Sequence, residues 1–370
     1  VRGVPSAYGG FETFLTELLP ILAARGHHIE VFNRADEGIR EYRGVTLRHV
    51  GPPVGGAFET VAHGLRVAPQ IDKRLFDVVL AFNIANVPAL AMLRAQGIPT
   101  VLNTDGQEWE RGKWGRAARA YWRLCARGAR LSATAVICDS LTMQQIYLSR
   151  FKVTSTLIPY CVRNDGAAIP RLTSFPFDEP YFLAAGRVVP ENQLSYIAQA
   201  HSSHSSHSHQ RRLVVLGKIT EGEPESDRLV KIAGASGGRV LLGGHLSSPA
   251  HFLSVAQNAD LYIHGHTVGG INPALVDAMS AGAHIAAYDT PFNREALGAR
   301  GQYWSTGGAL ASLMNDLLAD QASQDGQDTQ DSQDGVRDSR VHARSRAEST
   351  FGAEEVADAY ESLRCERPER

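Results

Sequence analysis

Leu261-Tyr-Ile-His-Gly-His-Thr-Val-Gly-Gly-Ile-Asn-Pro-Ala-Leu-Val-Asp-Ala-Met-Ser-Ala-Gly282 is the stretch that decides how this chain folds. Leu261-Tyr-Ile reads as a short buried strand, Gly265 to Asn272 as a glycine-bearing loop, and the residues from Pro273 as a helix that the loop opens. Outward from it the same pattern repeats. Tyr181-Phe-Leu-Ala-Ala ends in Gly186, Leu213-Val-Val-Leu in Gly217 and Val240-Leu-Leu in Gly243, and His284-Ile-Ala-Ala-Tyr completes this series. Upstream, Ile29-Glu-Val-Phe, Val45 to Val50, Asp77-Val-Val-Leu-Ala-Phe, Thr100-Val-Leu-Asn and Ala135-Val-Ile-Cys form another. Helical segments lie between most of these strands. The first is clearest: Phe11, Phe14, Leu15, Leu18, Leu19 and Leu22 recur at helical spacing and Gly26 follows as a stop. Alternation of this kind argues for α/β architecture with two doubly wound, Rossmann-like domains that face each other across a cleft.

Length agrees, because 370 residues exceed what one hydrophobic core usually serves. The sequence divides into a first domain over 1–163 and a linker over 164–180 carrying Pro170, Pro176 and Pro180. A second domain over 181–320, a low-complexity linker over 321–348 and a C-terminal helix and tail over 349–370 complete the expected organisation. His201 to His209 is a Ser/His repeat, read as a solvated insertion before the strand at Leu213. Gln321 to Ser332 is rich in Gln, Asp and Ser and reads as a loop. With 43% hydrophobic and 21% charged residues the chain is globular rather than disordered.

A net charge of -2 leaves no basic footprint for nucleic acid. One stretch is locally basic: Arg111, Lys113, Arg116, Arg119, Arg123, Arg127 and Arg130. It fits either a solvated helix face or a surface that attracts anionic lipid headgroups or a lipid-phosphate acceptor. Cys125, Cys138, Cys161 and Cys365 are scattered without CxxC spacing, so neither a zinc site nor a disulfide framework is indicated, and a reducing cytoplasm is expected. No apolar run reaches membrane-spanning length, so any membrane contact is expected to be peripheral.

Gly3-Val-Pro-Ser-Ala-Tyr-Gly-Gly-Phe-Glu-Thr-Phe is a glycine loop running into a helix N-terminus, a form that offers backbone N–H groups to a diphosphate. In a Rossmann-like half such a loop follows the first parallel strand. Only Val1 and Arg2 precede Gly3. The first strand of the first sheet is therefore expected to be missing, as in a fragment or a misplaced translation start, with exposed sheet edges beside the Ile29 strand and Gly9 and Gly10 poorly anchored. In the second half, Ala185-Gly-Arg-Val-Val-Pro-Glu-Asn follows a strand, placing Arg187 where a guanidinium can neutralise a leaving diphosphate. The Val-Gly-Gly-Ile-Asn-Pro turn brings backbone N–H groups towards the same phosphates, and Asp277, about one turn into the next helix, is in reach of ribose hydroxyls. No G-x-G-x-x-G turn follows a strand in the context that a nicotinamide dehydrogenase needs.

Four segments carry a family resemblance: Arg2-Gly-Val-Pro-Ser-Ala-Tyr-Gly-Gly-Phe-Glu-Thr-Phe, Asn103-Thr-Asp-Gly-Gln-Glu-Trp-Glu-Arg-Gly-Lys-Trp-Gly, His264-Gly-His-Thr-Val-Gly-Gly-Ile-Asn-Pro and Tyr288-Asp-Thr-Pro-Phe-Asn-Arg-Glu. From Val1 to about Tyr303 the chain resembles the retaining GT-B glycosyltransferases of the family 4 type, within them the bacterial rhamnosyltransferase-like subgroup. The resemblance implies an acceptor-side first domain, a nucleotide-sugar-binding second domain and a C-terminal helix that can cross back onto the first. It implies net retention with no covalent nucleophile and no metal or other cofactor. It also implies a nucleotide-diphosphate sugar donor, dTDP-rhamnose in the subgroup, and an undecaprenyl-diphosphate-linked or saccharide acceptor.

Carried over by position, Gly9 and Gly10 match the loop that approaches the donor phosphates and Arg187 the diphosphate-binding arginine. Asn192 stands where the broader family has a lysine. Gly269 and Asp277 occupy the two glutamate positions of its E-x7-E motif, so the first carboxylate is absent and the second is shortened. Gly270, Asn272, His264 and His266 fall beside the donor. Asp105, where the family often has a histidine, fits either a group that orients an acceptor hydroxyl or a helix-capping aspartate. Trp109 and Trp114 fit either an apolar platform for sugar or lipid or core packing. A non-catalytic sugar-nucleotide-binding protein of the same fold is the alternative, on the shortened Asp277 and the incomplete N-terminus.

Overall fold

The computed structural model describes residues 3–5, 10–36, 38–52, 58–111, 114–162, 169, 179–203, 211–246, 248–322 and 330–363. Two compact units emerge: Val1–Cys161 with Val268–Ile271 and Phe351–Arg370, and Val162–Thr267 with Asn272–Thr350. Most of the expected linker, Gly9 and residues 204–209 of the expected insertion lie outside the described residues, whereas His201–Ser203, expected in that insertion, end a helix, with His201 buried and 3.0 Å from the Arg211 carbonyl.

The first unit carries strands β1 (Glu30–Asn33), β2 (Glu41–Tyr42), β3 (Val45–His49), β4 (Val79–Phe82), β5 (Thr100–Asn103), β6 (Ala135–Cys138) and β7 (Thr156–Leu157). Its helices are α1 (Gly10–Ala24), α2 (Glu59–Val67), α3 (Val87–Ala95), α4 (Arg116–Ser132) and α5 (Leu141–Ile146). The strands form two separate sheets, in the orders β1-β3-β2 and β4-β5-β6-β7. Among the described residues β1 pairs only with β3 and β4 only with β5. Among the described residues the edge of β1 away from β3 has no strand partner. One core nevertheless serves both sheets, since Phe14, Leu15 and Leu18 of α1 pack with Val31 and Leu47 and also with Phe82, Val101 and Ile137. Asn33 closes the end of β1: its amide donates to the Val4 carbonyl at 3.1 Å and accepts from the Val4 N–H at 3.2 Å.

The second unit is a six-stranded, all-parallel sheet in the order β10-β9-β8-β11-β12-β13. Its strands are β8 (Tyr181–Ala185), β9 (Arg212–Leu216), β10 (Val240–Gly244), β11 (Leu261–His264), β12 (Ile285–Tyr288) and β13 (Gln302–Trp304). Helices α6 (Leu194–Ser203), α7 (Pro224–Ala235), α8 (Pro249–Asn258), α9 (Pro273–Ser280), α10 (Pro291–Leu297), α11 (Gly307–Ala322) and α12 (Gln330–Phe351) accompany it. Phe182, Leu213, Val215 and Ile263 from the strands pack with Leu194, Ile197 and Met314 from the helices. The order runs outward in both directions from β8 and β11, so a topological switch lies between those two strands, where open α/β sheets bind ligands.

A second segment also differs from the sequence reading. Residues 330–351, expected mostly as linker, form α12. Its buried stripe is Ala343, Ala347 and Phe351, a spacing of four whose small side chains give little hydropathic signal. Arginines do much of the docking. Arg340 donates to the carbonyls of Gln257 and Ala259 at the end of α8, Arg344 to Ala281 after α9, and Arg346 to Glu295 and Ala296 at the end of α10. A guanidinium placed there satisfies unpaired helix-terminal carbonyls and complements the helix dipole. Gly282 (φ +70) and Gly298 (φ +73) leave room for it, since a Cβ at either would meet a guanidinium nitrogen at 3.1 or 3.2 Å. The last helix, α13 (Ala353–Glu361), belongs to the first unit. Arg25 anchors it through Glu354, Asp358 and Glu361, and Asn103 reaches the Tyr360 hydroxyl at 3.3 Å.

Candidate functional site

In the second unit the site residues gather on the two loops that leave the switch strands. The loop after β8 carries Arg187, which is exposed. Its neighbour Asn192 is buried, and the side chain ties the two loops together. The Asn192 amide donates to the Arg187 carbonyl at 2.8 Å, and its oxygen lies 2.7 Å from His266 Nδ1, from which it accepts. Parallel contacts reinforce the clasp. Thr267 donates its N–H and its hydroxyl to the Glu191 carbonyl at 2.9 and 3.0 Å, and Gln193 donates to the Gly265 carbonyl at 3.1 Å. Asn293, buried at the start of α10, donates to the carbonyls of His266 and Tyr288 at 3.1 and 2.8 Å. This explains the Tyr288–Glu295 motif: Thr290 caps α10 and so presents Asn293 to the His266 backbone. The sequence reading gave Asn293 no role, although the motif that holds it was visible.

Both ends of the Asn192 amide are engaged within the protein, so the side chain supports the two loops. Asn272 is likewise occupied, its oxygen accepting from the Ala274 N–H at 2.9 Å as the N-cap of α9. His264 is fully enclosed at the end of β11, with Nδ1 3.2 Å from the Tyr262 hydroxyl. Burial pushes its pKa down to about 3, helped by nearby His266, so the ring is neutral. Asp277 is 3% exposed on α9, and its charge helps to raise the Tyr262 phenol well above its usual range. It is a buried carboxylate rather than one displayed to solvent. Gly269 adopts φ +122, a conformation that L side chains rarely accept, which accounts for glycine where a carboxylate was looked for.

In the first unit polar residues sit at the carboxyl ends of β4, β5 and β6. Asp105, two residues past β5, and Asn83, just past β4, both have positive φ, +62 and +77. They are bonded to each other, Asn83 donating to Asp105 Oδ2 at 3.0 Å, while Asp105 Oδ1 accepts from the Gly106 N–H at 2.7 Å. Asp139, just past β6, is buried and accepts from the Ser140 hydroxyl at 3.1 Å. Both carboxylates help burial to raise the Tyr147 and Tyr160 phenols. Asn83 and Asp139 were not singled out from sequence; an asparagine or aspartate immediately after a buried strand was the available signal. The turn Val268–Ile271 counts with this unit, and a Cβ on Gly270 would fall 2.2 Å from Asp139 Oδ2.

Trp109 is entirely buried, with edge contacts to Tyr147 and Phe151 at 5.8 and 4.9 Å. It is a core residue and offers no platform to an acceptor. Trp114 is half-buried, donates its indole N–H to Glu108 at 2.9 Å and leans on Trp122 of α4. Gly10 is the first residue of α1 and is exposed. Among the described residues no cluster of His, Cys, Asp and Glu could hold a metal ion.

Comparison with known proteins fits this arrangement. The family model described as Glycosyltransferase Family 4 matches residues 8–164, and that described as Glycosyl transferases group 1 matches 168–331. No curated protein matches the sequence. Among solved structures, sucrose-phosphate synthase (tll1590) from Thermosynechococcus elongatus aligns with TM-score 0.76 at 18% identity, covering 96% of this chain and 92% of that one. Anabaena Alr3699/HepE in complex with UDP-glucose aligns with TM-score 0.72 at 15% identity, covering 96% and 97%. A glycosyltransferase from Rickettsia africae ESF-5 aligns with TM-score 0.70 at 14% identity, covering 97% and 95%. At these identities the structures speak for the fold, and the two family models, in that order along most of the sequence, for the chemistry. The chain is a glycosyltransferase of the GT-B fold.

Proposed function

We propose that this glycosyltransferase moves rhamnose from dTDP-rhamnose, with net retention, onto a lipid-linked or saccharide acceptor in surface polysaccharide synthesis. The observation that carries the donor half of this reading is the clasp of Asn192 and His266, which fixes the Arg187 loop at the switch point of the second sheet. An exposed guanidinium on a fixed backbone suits a diphosphate that gains charge as the sugar–phosphate bond breaks. The N–H groups of the Gly269–Gly270 turn and the N-terminus of α9 would add donors without adding a titratable group. His266, held by the same Asn192 amide that bonds the Arg187 carbonyl, is the further group we assign to the donor side. On the acceptor side Asp105 is the group we assign to orienting the acceptor hydroxyl, with Asn83 fixing its carboxylate. The motifs around Asn103–Gly115 and His264–Pro273, similar to the rhamnosyltransferase-like subgroup, support the sugar. HepE, solved with UDP-glucose, makes UDP-glucose the donor to test against it.

The test is incubation of the purified chain with dTDP-rhamnose, UDP-glucose and other nucleotide sugars and a lipid-linked acceptor, scoring product by mass and anomeric configuration by NMR. Rhamnosyl product whose anomeric configuration matches that of the donor is expected from dTDP-rhamnose alone. Arg187→Ala should lower donor affinity or rate about ten- to a hundred-fold, the loss of one charge-assisted contact. Glucosyl product from UDP-glucose would replace the donor assignment. Unchanged turnover in folded Arg187→Ala would remove the diphosphate role.

A further inference from the structure

The basic run noted in the sequence is resolved by the fold into one face of α4. Trp122, Cys125, Ala126, Ala129 and Ser132 are buried, whereas Arg116, Arg123, Arg127 and Arg130 are exposed. Leu124 and Leu131 lie on the same outward side, seven residues apart, and are 66% and 69% exposed. At about 100° per residue the arginines form a stripe and the leucines a second stripe along its edge. Two features set this face apart from an ordinary solvated helix. The helix contains no aspartate or glutamate, and among the described residues no carboxylate pairs with any of those four arginines. Large apolar side chains also stand among the charges, where solvation alone would favour polar ones. Unneutralised guanidinium groups flanking exposed leucines match the boundary of an anionic bilayer, with phosphates at the charged stripe and acyl chains at the leucines.

Position in the chain adds a reason. The helix begins directly after the Asp105–Trp114 segment, and Trp114 packs on its Trp122 at 5.5 Å between ring centres. Glu108 in that segment is held by Arg111 at 2.7 Å. A bilayer bound along α4 would therefore lie next to the segment that carries Asp105.

We infer that the outward face of α4 docks this protein onto an anionic phospholipid surface, through Arg116, Arg123, Arg127 and Arg130 at the headgroups and Leu124 and Leu131 below them. This deepens the lipid-linked acceptor reading and rests on it for its purpose. Binding itself needs neither donor nor acceptor, so it is measured without either.

The experiment is flotation of the whole protein with phosphatidylcholine vesicles and with vesicles containing phosphatidylglycerol. Wild type should bind the anionic vesicles, less so at high salt, and leave the neutral ones. Arg123→Gln with Arg127→Gln should weaken that binding at least tenfold, following a few-fold per arginine near an anionic surface. Leu124→Ser with Leu131→Ser should weaken it several-fold while leaving retention on a soluble polyanion such as RNA unchanged. Circular dichroism confirms that both variants fold. Equal binding of all three proteins to anionic vesicles would overturn the proposal. So would RNA binding that depends on the arginines with no vesicle binding, which would make the face a polyanion site. Loss of glycosyl transfer with vesicle binding intact would instead count against the acceptor reading.

Discussion

Replacing Asn192 by alanine tests whether the clasp between the switch-point loops is what positions Arg187. Asn192 is 8% exposed, and the substitution removes contacts of 2.8 Å to the Arg187 carbonyl and 2.7 Å to His266. The Arg187 carbonyl keeps one partner, the Val189 N–H at 2.9 Å, so it is not orphaned. The His266 Nδ1 loses its acceptor on that side. Two buried hydrogen bonds at about 1 kcal/mol each, with a small space left by the amide, give about 2–3 kcal/mol. For a unit of this size that lowers the melting temperature by about 5–10 °C. Donor affinity should fall by about tenfold as the Arg187 loop loosens, measured by calorimetry with the nucleoside diphosphate. Hydrogen exchange localises the effect: amides around Arg187–Gln193 and Gly265–Thr267 should exchange faster while α12 is unaffected. Thr267→Val is the control, because the backbone N–H to Glu191 remains and only the hydroxyl contact is lost. An Asn192→Ala protein that melts, exchanges and binds diphosphate like wild type would refute the reasoning.

Asp105→Asn should keep the fold, since asparagine tolerates positive φ and can still accept from Gly106, yet lower turnover about ten- to a hundred-fold by removing the charge. Wild-type turnover in Asp105→Asn would reduce Asp105 to a turn residue. Asp277→Glu, which by family pattern alone would improve ribose contact, should instead destabilise by about 1–3 kcal/mol, because a methylene is added at a position only 3% exposed; a thermal shift of zero with tighter nucleotide binding would show the burial argument to be mistaken. His264 has a folded pKa of about 3 against an unfolded value near 6.5, so the unfolded state binds the proton first as pH falls. Its contribution is fully present above about pH 6.5 and is lost progressively towards pH 3. Buried His63, also held near 3, adds to the loss in the first unit and buried His284, pushed down by burial, adds to it in the second, so the test compares hydrogen exchange in the second unit with and without His264. His264→Gln should flatten the acid loss there, and an unchanged pH profile would count against it.

How far the sequence could be read depended on what kind of contact holds each part. Thr100–Asn103, Ala135–Cys138 and Tyr181–Ala185 were legible to the residue, because a strand buried on both faces is a continuous apolar run. The two-residue strands β2 and β7 were not, since Glu41–Tyr42 and Thr156–Leu157 are too short and too exposed to set a pattern. Helix α12 hid because arginine contacts to carbonyls and an alanine stripe hold it, and neither registers as periodicity of large apolar side chains. Within the site, Arg187 could be placed from its strand, but the engagement of both ends of Asn192 needed the partner loop to be brought alongside. Family position suggested Asn192 as a ligand; the geometry adds that it supports the partner loop.

The pair Asn83 and Asp105 shows why the acceptor side resists a sequence reading more than the donor side does. Each sits at positive φ, where a residue with a Cβ costs about 1–2 kcal/mol relative to glycine. Glycine at both places would relieve the backbone. The fold keeps side chains there instead and joins them at 3.0 Å, a charge-assisted contact that offsets part of the strain. What the two side chains provide is therefore something a relaxed turn would lose: a carboxylate held in one orientation at the carboxyl end of a parallel sheet. Each side chain also serves its own turn, Asn83 accepting from the Ala85 N–H at 2.9 Å and Asp105 from the Gly106 N–H at 2.7 Å, so turn and carboxylate orientation are set together. Both residues follow their strands in a sequence that reads simply as loop. Only their dihedral angles and their contact with each other separate them from the other polar residues at loop positions.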